Sequence, residues 1–371
     1  MGDYRWVTML EARRRCLPLY NRPANALFAP RSADSMRAPS SHGLVTPGRA
    51  AVILAVLTVA AAAAIVIALA LGSVRVDPAA IFRALTGSGV DPATAIVRDL
   101  RLPRALAAFA VGGLLALAGS LMQILLRNPL ADPYVLGISG GAAVGALGAM
   151  FAGAAAFVTP AAFLGALVSI ALVFGLARAG AERAPWTSTR LLLTGVVTAA
   201  GWGAVTTLLL TLAPDAQVKG MLFWLIGDLS AAAPPAPALL VLAVVLVAAL
   251  MLARDLTVLA RGEDVAATVG VAVPRVTLTL YALAALATAV AVTTAGSVGF
   301  VGLIVPHALR LAIGNDQRLL LPASALVGGA LLVVADTLAR TLVAPVQLPV
   351  GVVTALVGVP AFLWLLARGR P

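Results

Sequence analysis

Apolar residues in this chain come in long unbroken runs, separated by short clusters of Arg, Asp, Pro and Gly. A run of that kind has no polar face, so it predicts a helix with apolar surroundings on every side rather than a surface helix or a half-buried strand. A hydrocarbon layer about 30 Å thick demands about 20 helical residues at 1.5 Å each. Runs of that order fall near 50–72, 103–126, 134–152, 157–178, 190–212, 235–253, 275–296, 319–341 and 348–367. A shorter one near 302–313 is too short to span as a straight helix. The pattern therefore predicts an all-α polytopic membrane protein with about ten transmembrane helices. Residues 1–49 mix Arg, Pro, Ser and Ala without apolar periodicity and are expected to form a polar, disordered leader ahead of the transmembrane domain at 50–371. The charged stretch is too long before the first apolar run for a signal peptide.

Basic residues near span ends are retained on the cytoplasmic side and so set the orientation. With Arg5, Arg13, Arg14, Arg15, Arg22, Arg31, Arg37 and Arg49 inside, counting spans also puts Arg178, Arg183, Arg190, Arg254, Arg261, Arg275, Arg310, Arg318, Arg368 and Arg370 inside. Both termini are then cytoplasmic in a multi-pass protein of the cytoplasmic membrane. Arg75, Arg83, Arg98, Arg101, Arg104, Lys219 and Arg340 are left outside, where topology alone disfavours them.

Composition agrees: 61% of residues are hydrophobic and 11% charged, whereas a soluble domain carries about 25% charged residues. The net charge of +11 is accounted for by the leader and the inside loops, so it does not signal a nucleic-acid partner. Cys16 is the single cysteine, which excludes an intrachain disulfide. No G-x-x-x-x-G-K-[ST] occurs, and the sole lysine, Lys219, follows Asp215-Ala216-Gln217-Val218, so ATP cannot be cradled by a P-loop here. ATP-driven transport would need a separate ATPase subunit. An ion-coupled secondary transporter, the rival class, would want its own carboxylates near the midplane, yet Asp336 alone among the acidic residues sits inside a span. No nucleophile constellation or paired carboxylates suggest catalysis, so no catalytic residues are expected.

Several positions carry candidate chemistry. Arg101 and Arg104 lie three apart at a helix start, where the macrodipole disfavours cations; they either pair with Asp99 or snorkel, or receive carboxylates of a partner. Asp336 and Arg340 are four apart, forming an i,i+4 pair or leaving Arg340 to point outward. In the loop 254–271, Leu256, Leu259 and Ala260 share one face. Gly262 follows Arg261 and stops that helix, and Glu263 with Asp264 opens a second that ends at Gly270. That pair of short helices either lies on lipid or docks an ATPase, and the acidic pair favours the latter because an anionic inner leaflet would repel it. Three glycines and Pro306 between Gly296 and Arg310 predict a half-length helix. His307 within it reads as a structural histidine, since no ligand cluster for a metal accompanies it. Gln123 either hydrogen-bonds between helices or lines a pore. Gly141 and Gly145 permit close helix approach, and the turn Arg127-Asn128-Pro129-Leu130-Ala131-Asp132-Pro133 breaks the chain between two spans.

The series R-x-P-R, G-x-x-L-A-x-x-G-x-x-x-Q and N-P-L-A-x-P-x-x-L-G-x-x-x-G-A over Arg101 to Gly145 resembles the permease subunits of bacterial ABC importers for iron-siderophore, haem and vitamin B12, the FecCD/BtuC type. The likeness continues through Trp224-Leu225-Ile226-Gly227-Asp228-Leu229-Ser230, Arg261-Gly262-Glu263-Asp264-Val265-Ala266, Gly299-Phe300-Val301-Gly302-Leu303-Ile304-Val305-Pro306-His307 and Leu348-Pro349-Val350-Gly351. It also takes in Gly358-Val359-Pro360-Ala361-Phe362. The resemblance implies a type II ABC importer permease of ten helices that dimerises with a second permease subunit, homo- or heteromeric, around the translocation path. It implies two ATP-binding cassette subunits below, which use ATP and Mg, and a periplasmic or lipid-anchored substrate-binding protein above. This chain itself would bind no cofactor and be no enzyme. Carried over by position, it assigns Arg101, Arg104 and Arg340 to docking the binding protein. Leu259, Arg261, Gly262, Glu263, Asp264 and Gly270 become the ATPase coupling loop, and Gln123, Asn128, Pro129, Pro306 and His307 the path or its gate. Gln347 departs from the family's usual Glu. Ferric siderophore is the expected substrate, ahead of haem or vitamin B12.

Overall fold

A computed structural model of the chain describes residues 46–72, 76–87, 91–179, 188–230 and 234–368. Most of the leader expected over 1–49, with Cys16, Arg75, Arg183 and Arg370, lies outside the described residues. Among the described residues the secondary structure is helical, with no strand.

The helices are α1 (Pro47–Ala70), α2 (Pro78–Thr86), α3 (Leu102–Leu125), α4 (Ile138–Phe151), α5 (Val158–Ala179), α6 (Ser188–Leu212) and α7 (Asp215–Ile226). They continue as α8 (Pro235–Met251), α9 (Ala253–Leu259), α10 (Glu263–Thr268), α11 (Val273–Ala295), α12 (Val301–Ile313), α13 (Gln317–Thr341) and α14 (Val350–Arg368). Each of the ten apolar runs lies on one of them. A helical turn from Pro92 and a π-helix, Ile96–Arg101, lead directly into α3. Pro103 explains the widening, because it lacks a donor and its ring crowds the carbonyl of residue 99, one turn earlier.

Two lengths differ from the expectation. The run at 134–152 yields only the 14 residues of α4, because Pro133–Leu136 forms a 3-10 turn closed by Gly137 at φ 70°. The connection expected between 212 and 235 contains α7, a helix of 12 residues with Met221 buried. The loop 254–271 does fold as two short helices: α8 and α9 meet at 65°, and Gly262 at φ 130° separates α9 from α10.

α3 is the axis of the bundle. Of its most apolar stretch 89% is buried within the protein, against 17% for α1 and 11% for α6. It packs against α8, α11, α12 and α13, and its sequence explains why. Without a hydrophobic difference between lipid and side chains, helices in a bilayer associate by close backbone approach at small residues. Gly119 lies against the backbone of Gly302 in α12, and Gly112 against that of Gly328 in α13. Ser120 bonds Ser324 across the second crossing at 3.1 Å. Gly141 and Gly145 serve the packing role expected of them, against α5 at Gly165 and Ala161.

Candidate functional site: polar clusters at the two ends of α3

The N-terminal end of α3 gathers three arginines, two of them on one carboxylate. Arg104 approaches Asp336 with Nε at 3.0 and 3.1 Å and Nη2 at 2.8 Å, while its Nη1 donates to Gln347 Oε1 at 3.0 Å. Arg340 Nε donates to the other oxygen of Asp336 at 3.0 Å. Asp336 is 1% exposed, so the fork geometry of both guanidiniums is spent inside the protein. Arg101 donates to Leu69 O at 2.7 Å and Ala70 O at 3.1 Å. These are carbonyls at the C-terminal end of α1, which have no intrahelical partners and favour a cation.

Within the chain itself, Arg340 and Arg101 both find partners. Arg340 turns inward to Asp336 rather than outward, so that a guanidinium only 9% exposed keeps a charged partner. Arg101 caps α1 instead of pairing with Asp99. Both are buried, and Arg104 keeps 14% of its side chain exposed. Two guanidiniums share the one carboxylate, with neutral Gln347 as a further partner of Arg104.

The C-terminal end of α3 is built differently. Arg127 at φ 48° closes the helix, with Asn128 N returning to Gln123 O at 3.2 Å, a left-handed C-cap made without glycine. Asn128 Oδ1 then accepts from Leu130 N at 2.9 Å, and Pro129 is exposed. Gln123, 3% exposed, donates from Nε2 to Leu303 O at 3.1 Å and accepts Arg310 Nη1 at 2.9 Å. Its interhelical role is therefore present. Pro306 is buried inside α12, and His307 is half-buried with no partner for Nδ1 among the described residues. No group of His, Cys, Asp or Glu fit to hold a metal occurs among the described residues.

The two short helices stand at this same end, because Arg127 Nη2 pairs with Glu263 Oε1 at 3.0 Å. Leu259 is buried under α9, Gly262 and Gly270 take left-handed conformations, and Arg261 and Asp264 are exposed. Sequence reasoning did not single out Asn315, Gln317 or Thr257, which join this cluster. The available signal was an arginine, Arg310, inside a short apolar helix, where a cation requires a buried partner.

Ten apolar helical segments among the described residues, one of them the buried central helix, with two short helices at one end and no nucleotide-binding loop in the sequence, fit a polytopic transport permease. The sequence profile of the FecCD transport family matches residues 57–368, and the chain belongs to that family of ABC-importer permease subunits. It is 43% identical to the cobalamin import system permease protein BtuC of Halobacterium salinarum over 288 residues, 74% of each chain. It is 40% identical to the hemin transport system permease protein HmuU of Yersinia pestis, covering 82% of this chain and 94% of that one. It is 39% identical to the Fe(3+) dicitrate transport system permease protein FecD of Escherichia coli, covering 74% and 86%. A solved metal-chelate type ABC transporter in an inward-facing conformation superposes with a TM-score of 0.75 at 28% identity, over 86% of this chain and 100% of that one.

Proposed function

We propose that this chain carries a ferric siderophore across the cytoplasmic membrane by alternating access, paired with a second permease and driven by separate ATPase subunits that bind ATP and Mg. The observation that carries the reading is the α9–Gly262–α10 element. It is exposed and acidic at its turn, where Arg261 and Asp264 stand out from the surface, and it is tied to the end of the central helix by Arg127 and Glu263. Such an element offers a partner a lever on the bundle. The relatives named above serve cobalamin, hemin and ferric dicitrate. All three are bulky metal chelates, and a ferric siderophore is of the same chemical class.

In this reading the Gln123 end and both termini face the cytoplasm, and the Arg104 end faces outward. The arginines there attract acidic lobes of a substrate-binding protein. Arg104, partly exposed, meets the partner's carboxylates, while Arg101 and Arg340 hold the site and supply field. Gln123, Asn128, Pro129, Pro306 and His307 flank the inner gate. Substrate affinity resides in the binding protein, so the permease need only open alternately to either side.

The test is purification from native membranes in mild detergent, with reconstitution into proteoliposomes. Co-purification of an ATPase, and ATP-dependent uptake of ferric siderophore in preference to haem or cobalamin, are expected. ATP-dependent uptake of haem or cobalamin instead would replace the substrate. Uptake by the chain alone under an ion gradient would overturn the ATP-driven reading in favour of secondary transport.

A further inference from the structure

A continuous line of hydrogen bonds runs from the short helix α9 to the central helix. Thr257 in α9 anchors on Ala253 O at 2.7 Å, and its Oγ1 accepts from Gln317 N, at the start of α13, at 3.4 Å. Gln317 Nε2 donates to Asn315 at both Oδ1, 3.0 Å, and O, 3.2 Å. The same Asn315 Oδ1 accepts Arg310 Nε from α12 at 3.1 Å, and Arg310 Nη1 reaches Gln123 Oε1 in α3 at 2.9 Å. Four helices are joined with one three-residue connector as the junction.

That connector is built to hold its shape. Gly314 at φ 90° ends α12, Asp316 caps α13 by accepting from Arg318 N at 3.0 Å, and Asn315 between them ties the two sides through a single oxygen. Gln317 is fully buried, and its Oε1 has no hydrogen-bond partner among the described residues. Native proteins satisfy buried acceptors in the great majority of cases, so an unsatisfied one calls for a reason. A rearrangement that brought a donor to this oxygen would gain a bond. Beyond the line, α12 cannot slip past α3 without a clash, because Gly119 and Gly302 approach backbone to backbone. A shift at Thr257 would meet the α3–α12 crossing at the other end of this line.

We propose that Asn315 is the positioning residue through which movement of the α9–α10 element reaches the gate at Gln123, with Thr257 and Gln317 on one side of it and Arg310 on the other. The inference rests on the reading that α9 and α10 receive an ATPase. Coupling of this kind needs a direct energetic test rather than a traced path.

The full complex, reconstituted with its ATPase and binding protein, is assayed for substrate moved per ATP hydrolysed. Asn315→Leu is expected to lower that ratio about tenfold, and Asn315→Asp, which keeps the accepting oxygen, to retain it. Thr257→Val, which removes the hydroxyl at the far end without changing shape, is expected to lower the ratio with the complex assembled in normal yield. Combining Thr257→Val with Asn315→Leu should cost no more than Asn315→Leu alone, because both cut one line. An unchanged ratio in Asn315→Leu, or a combined loss equal to the product of the single losses, would overturn the proposal. A wild-type complex without ATP-dependent uptake would instead remove the importer reading, and this inference with it.

Discussion

Asp336 shows what a single residue does here. It is 1% exposed and accepts from both Arg104 and Arg340, so it neutralises one of two guanidiniums in a poorly solvated place. Asp336→Asn keeps the shape and removes the charge, and leaving buried charges uncompensated costs about 3–5 kcal/mol. A large fall in the thermal midpoint of the purified chain in detergent is expected. A midpoint unchanged within a degree or so would mean that water or lipid headgroups, not Asp336, solvate the arginines. The exceptional character of Arg101, Arg104 and Arg340 was legible in the sequence, because they stood on the wrong side for a basic residue. Their partners were not. Arg101 finds the carbonyls of α1, which lie more than thirty positions earlier, and no local spacing reports which helix end packs beside which.

At the scale of elements, the sequence spoke most clearly where breakers interrupt an apolar run. The glycines and Pro306 between 296 and 310 announced α12 as a half-length helix, and it has 13 residues. Gly262 and Gly270 bounded the two short helices correctly because positive φ is a demand that glycine meets and other residues resist. α7 escaped notice because 12 residues mixing Asp, Gln and Lys with apolar side chains carry no periodicity strong enough to read. The close crossings also leave no mark in hydropathy, although they hold the bundle together. They lead to a contrast between two substitutions of the same type. Glycine to alanine inside a helix gains about 1 kcal/mol from propensity where there is room. Gly148→Ala in α4 has nothing within 4 Å of the new methyl and should leave stability equal or slightly raised. Gly119→Ala drives its methyl into the Gly302 carbonyl and should cost several kcal/mol of overpacking and lost helix contact. Thermal unfolding of the two variants side by side separates the cases. Equal midpoints would show that α3 and α12 part without penalty.

For the whole molecule, the question that the bundle leaves to experiment is which end faces which side. The contacts order the ends relative to one another: Arg104, Asp336, Arg340 and Gln347 share one, and Gln123, Arg127, Glu263 and Arg310 the other. Assigning them to inside and outside rests on charge, since a helical bundle has no intrinsic sense across a bilayer. The charge pattern does that work, because inside loops retain Arg and Lys, and it points the second cluster inward. The chain has one native cysteine, Cys16, so Cys16→Ser gives a background without thiols. In that background Arg98→Cys, at an exposed position ahead of α3, and Asp264→Cys, at an exposed position in α10, report opposite faces. A membrane-impermeant maleimide should label the first in right-side-out vesicles and the second only in inverted ones. The reverse result would place the α9–α10 element outside, where no ATP is available to a docked ATPase, and would end the importer reading at once. Labelling as expected would put the exposed acidic turn in the only compartment where such a partner can act.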